Sequence, residues 1–177
     1  QATPQTIHFQ RFVEEIFRER MEVEHQRAIK KAQHGHAVKV TGYVLAGMTQ
    51  SHAEKRVEVS NTLKQLNAII IEISDASMIG RVVGREYTLL FGKVTDELKR
   101  ILNTKSIRDS LPELQLDYIK LAEKTLVMML SQSERITPEQ LLKIVDKTIR
   151  PLGEHLKMIC ESMNIDIVTG QKQLGRG

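Results

Sequence analysis

The sequence predicts an all-α fold, a helical bundle of five or six helices with heptad-like seams, and three observations carry that expectation. Hydrophobic residues make up 41% of the chain while aromatics reach only 4% with no Trp, so a core has to be built from aliphatic side chains and Met. Apolar residues recur at steps of three and four through most of the 177 residues, which is the helical period. Two segments, Ser110-Leu111-Pro112-Glu113 and Thr137-Pro138-Glu139-Gln140, carry helix-start grammar: a capping hydroxyl, an early Pro, and Glu or Gln at the third position.

The elements follow in order. Over residues 7–32, Phe9, Phe12, Val13, Ile16, Phe17, Met21, Ala28 and Ile29 keep mostly helical spacing, so an amphipathic helix is expected to end at Gly35. Phe12, Ile16 and Phe17 are its expected docking or oligomerisation residues. Residues 36–48 read two ways. Val38, Val40, Thr41, Tyr43 and Val44 suit a short strand or hairpin, whereas Val40, Val44 and Met48 also fall on one helical stripe.

Between residues 52 and 74 the pattern sharpens. Val59, Leu63, Leu66, Ile70 and Ile73 step by four and three, the alternation of a heptad seam. After a turn expected near 77–84, Tyr87, Phe91, Val94, Leu98 and Ile101 repeat that stepping, and two seams in succession predict an antiparallel helical pair. Leu116, Ile119, Leu126 and Leu130 form the next stripe, and Leu141, Ile144, Val145 and Ile149 the one after. Pro151 is expected to break or kink that helix, because it lacks an amide donor. Leu152, Leu156, Ile159 and Met163 form a last stripe. The expected organisation is an N-terminal helix over 1–34, a bundle over 36–166 and a flexible tail over 167–177.

Charge is unevenly placed. The chain holds 26 Lys and Arg against 22 Asp and Glu, a formal net charge of +4. Residues 25–53 contain no acid at all but include Arg27, Lys30, Lys31 and Lys39, with His25, His34, His36 and His52. Such a segment can bind phosphates by Coulomb attraction and counterion release; the competing reading is a solvated helix end. The histidines invite a metal, but no Cys or nearby carboxylate joins them, and zinc needs three or four converging ligands. Glu22-x-x-His25 is a single copy of a motif that di-iron bundles need twice. No metal or other cofactor is therefore expected.

Cys160 and His155 sit five residues apart, an offset that points them away from each other on a helix, so no nucleophile and base are expected there. A lone Cys excludes an internal disulfide and fits a cytoplasmic or other reducing location. The longest apolar run, Leu126–Leu130, is far shorter than the roughly 20 residues of a membrane span, so no membrane partner is expected. Met128, Met129, Met158 and Met163 read as core filling, or as a helical groove for a protein partner.

The reading is of a non-enzymatic assembly or interaction module, a homo-oligomer formed through the N-terminal helix and the seam residues Leu63, Leu66, Ile70, Ile73, Phe91 and Leu98. The alternative is a protein that binds RNA or single-stranded DNA through Arg27, Lys30, Lys31 and Lys39.

Overall fold

A Schellman-type turn at Gly47 sets the length of the first helix. Gly47 takes φ 100°, its amide donates to Val44 O at 2.9 Å, and the Met48 amide donates to Tyr43 O at 3.1 Å. Gly35 and Gly42 keep right-handed helical φ, so the helix α1 (Pro4–Leu45) runs through both. An interior Gly costs a helix only about 1 kcal/mol; ending one takes a residue in the left-handed region. This corrects two expectations, a helix ending at Gly35 and a strand or hairpin over 36–48. The computed structural model describes residues 4–173, without the side chains of 4–13 and of residue 16.

The chain divides into two compact units, residues 1–48 and 49–177. The first is α1. The second contains α2 (Gln50–Ile73), α3 (Met78–Phe91), α4 (Thr95–Ile101), α5 (Ile107–Ser110), α6 (Glu113–Leu130) and α7 (Pro138–Met163). Seven helices and no strand are present among the described residues, so the fold is all-α.

Thr49 caps α2, its hydroxyl accepting from the His52 amide at 3.2 Å. Thr137 and Gln140 form the expected capping box at α7, with Gln140 N donating to Thr137 Oγ1 at 3.3 Å and Thr137 N to Gln140 Oε1 at 2.8 Å. Ser110 caps nothing. It closes α5, and Pro112 stands at the cap position of α6 without a side-chain hydrogen bond.

Gly80 and Gly84, expected in a turn, lie inside α3, and the connection from α2 is the shorter stretch 74–77. The second seam is not continuous. Gly92, at φ 66°, ends α3 before α4 begins, which leaves Val94 and Ile101 exposed while Leu98 is buried.

The helical neighbours also differ from an antiparallel pair of seams. Lys55 meets Asp117, Lys120 meets Glu58, and Thr62 meets Glu123, at separations of 62, 62 and 61 residues. The two positions rise together, so α2 and α6 lie side by side in the same direction. Arg85 on α3 grips Asp146 on α7 at a separation of 61 residues, and Gly153 lies against Leu89 further along, so α3 and α7 are parallel too. One helix pair lies alongside the other, and heptad stepping does not reveal that the partner stripe stands some 60 residues away.

Pro151 does not end α7. It is exposed, as is Lys147 four residues earlier, so the carbonyl that loses its donor lies on the solvent side. The C-terminal stretch is held more closely than a flexible tail beginning at 167 would be. Val168 is 2% exposed, Asp166 Oδ1 accepts from the amides of Val168 and Thr169 at 2.9 and 2.7 Å, and Ile165 bridges Lys172.

Candidate functional site

On α1, Arg27, Lys30 and Lys31 are all exposed, and their spacing of three and four places them on one helical face with Arg20 and His34. Lys39 is exposed but lies eight residues past Lys31, turned roughly 80° from it. Three of the four predicted cations therefore converge. His34 and His36 are two residues apart and project to opposite sides of the helix, and no cluster of three metal-ligating side chains occurs among the described residues. Phe17 is 65% exposed; the side chains of Phe12 and Ile16 lie outside the described residues.

The seam residues stand elsewhere. Leu66, Ile70, Ile73, Phe91 and Leu98 are buried in the hydrophobic core of the second unit, and Leu63 is half-buried. The five buried ones pack within the chain and present no free surface to a second one. Core filling does not account for the methionines singled out above, because Met128, Met129, Met158 and Met163 are all exposed.

The densest chemistry was not anticipated from the sequence. Glu86 on α3, Arg108 on α5 and Glu123 on α6 are 1%, 6% and 0% exposed. Arg108 Nη2 donates to Glu86 Oε2 at 3.2 Å, Arg108 Nη1 lies 2.7 Å from Glu123 Oε1, and Arg108 Nε donates to the Tyr87 hydroxyl at 3.0 Å. Thr62 of α2 donates to Glu123 Oε2. Four helices are tied by one polar knot.

Two carboxylates and one guanidinium would carry an unbalanced negative charge away from water, which is costly. Burial drives the Glu86 carboxyl up to about 8, against the pull of Arg108, and its Oε1 has no hydrogen-bond partner among the described residues. A proton held on Glu86 makes the knot neutral. Burial raises Glu123 as well, against Arg108 and Thr62. Such a closed arrangement ties α2, α3, α5 and α6 together.

Part of this was legible. Glu123 stands between Ile119 and Leu126 where the stepping by four and three calls for an apolar residue, and Glu86 lies between Val82 and Leu90 on the inner face of α3. An acid on an inward stripe is the signal. Nothing local marks Arg108.

A cavity of about 410 Å³ lies between the ends of α3 and α7, lined among others by Phe91, Gly153, Lys157, Cys160 and Asp166. Burial pushes the Cys160 thiol up, which makes it a poor nucleophile, and His155 is engaged with the Tyr118 hydroxyl at 2.7 Å instead. No helix among the described residues is long and apolar enough to cross a membrane. Compared with models of protein families, with curated proteins and with solved structures, the chain matches none.

Proposed function

We propose that the protein is a non-enzymatic helical assembly module that self-associates through α1. The observation that carries this reading is apolar exposure along the helix: Phe17 and Met21 are each 65% exposed, Val23 50%, Val38 56% and Leu45 83%. Most helices in proteins owe their stability to packing on an apolar face rather than to propensity, and large exposed apolar groups close together mark interaction sites. The buried seam residues pack inside the second unit, so they are not the surface that this reading uses. Light scattering of the full chain across a range of concentrations tests this. A molar mass of two or more chains, falling to one in the Phe17→Glu/Met21→Glu variant with helicity retained, is the expected result; a single-chain mass at every concentration overturns it.

A second reading is favoured by the shared face of Arg27, Lys30 and Lys31, namely contact with RNA or single-stranded DNA. Replacing these three by Gln would then weaken binding to single-stranded RNA and flatten its salt dependence. Absence of any wild-type binding at about 50 mM salt, where the electrostatic term is strong, eliminates this reading and leaves the first intact.

A further inference from the structure

Every residue from 17 to 34 is exposed, so this part of α1 presents its whole circumference. At about 100° per residue, Arg20 and His34 stand within about 20° of the direction of Arg27, with Lys30 about 60° to one side and Lys31 about 40° to the other. The positions bordering this face carry short side chains, Ala28 and Gly35 beyond Lys31 and Ala37 beyond Lys30. The nearest acid, Glu24, follows Arg20 by four residues and precedes Arg27 by three, spacings at which its charge is answered within the helix. From residue 25 to the end of α1 there is no acid. Between residues 18 and 42 there is no Phe, Tyr or Trp.

We infer that this face of α1 lies in the major groove of double-helical DNA. The inference shares the phosphate contacts of the nucleic-acid reading above and goes beyond it in the form of the nucleic acid. The major groove of B-DNA, about 12 Å wide, admits an α-helix of about 10–12 Å diameter. Lys30 and Lys31 diverge by about 100°, so each reaches toward the phosphates of a different strand. Arg27 and His34 point between them at the base edges, where guanine presents its O6 and N7 acceptors. The short side chains at the borders let the groove walls close on the helix.

Two other forms of nucleic acid match this face less well. The major groove of an RNA duplex is deep and narrow, and side chains do not read it. Single strands are held largely by stacking of their bases on aromatic rings, which the segment lacks. Phosphate attraction is common to all three forms, so the width of the groove and the missing rings make the selection.

The test uses the full chain and three labelled probes at about 50 mM salt: a DNA duplex, an RNA duplex of the same sequence and the single DNA strand. The DNA duplex is expected to bind at least tenfold tighter than either other probe. In Lys30→Gln/Lys31→Gln the slope of log affinity against log salt is expected to flatten by about 1.8, the equivalent of two phosphate contacts. Exposed charges contribute little to stability, and circular dichroism checks that helicity is kept. Lys143→Gln/Lys147→Gln, two exposed positions on α7, is expected to leave the slope unchanged. Saturating the duplex with distamycin, a minor-groove ligand, is expected to leave the protein bound, and displacement overturns the major-groove placement. Equal or tighter binding to the single strand or the RNA duplex overturns the inference and leaves the nucleic-acid reading standing. Duplex binding with an unchanged slope in Lys30→Gln/Lys31→Gln places the contact off this face and overturns both. No binding to any probe likewise overturns both.

Discussion

Gly153 lies so close to the Leu89 carbonyl that a methyl group on its Cα would stand 1.9 Å from that oxygen and 2.9 Å from its carbon. The parallel contact between α3 and α7 depends on this absence of a side chain. In an open helix Gly→Ala gains about 0.5–1 kcal/mol, but here the overlap is with backbone, which cannot rotate aside. Overpacking of this kind costs about 1–3 kcal/mol, so Gly153→Ala is expected to lower the melting temperature. Gly80, also in α3, meets nothing within 4 Å, and Gly80→Ala is expected to raise it. Equal shifts in the two variants would contradict the close approach.

Leu66 and Ile70 are fully buried inside the second unit. Truncating such a side chain costs about 2–5 kcal/mol, and a carboxylate there adds its desolvation. Leu66→Asp and Ile70→Asp are therefore expected to lose helical circular dichroism, not merely to dissociate. Retained helicity with a halved molar mass would place the seam between chains.

Arg108 reaches both buried acids, lying 3.2 Å from Glu86 Oε2 and 2.7 Å from Glu123 Oε1. Arg108→Met takes the guanidinium away from Glu123 and removes the donor to Glu86, and breaking a buried pair from one side costs about 3–5 kcal/mol. Glu86→Gln is expected to cost far less, because Glu86 already carries a proton at neutral pH. Denaturant titration of the two variants checks the ranking, and equal losses would mean that Glu86 is ionised.

The same proton sets a pH dependence. Glu86 ionises near its ordinary value of 4.5 when unfolded and near 8 when folded. Between those values the native state holds a proton that the unfolded state has released, so stability falls as pH rises from about 4.5 to about 8 and levels off above. The groups that act oppositely do so at lower pH. Asp146, for example, is held below its ordinary value by the hydrogen bonds from Arg85, and its contribution is lost as pH falls through that lowered range. Melting temperatures at pH 5, 6, 7 and 8 are expected to decline steadily, and Glu86→Gln is expected to lessen the decline, leaving the part that comes from Glu123, which burial also raises.

Local pattern by itself determined that this chain is helical. The stepping by three and four, the Thr137 capping box, and the inward stripes of α2, α6 and α7 are properties of short stretches, and the structure contains them where the pattern lies. The stop of α1 was less legible, because Gly35, Gly42 and Gly47 look alike in sequence and only the backbone at Gly47 turns left-handed. Tertiary structure alone decided which stripe meets which. The parallel pairing of α2 with α6 and of α3 with α7 spans about 61 or 62 residues, and periodicity carries no information about partners at such a distance. It likewise decided that Arg108, on a four-residue helix, would stand between two buried acids. Glu86 and Glu123 mark their inward faces by breaking an apolar stripe, but the cation that neutralises them comes from a segment without a period, and only the packing of α3, α5 and α6 brings the three charges together.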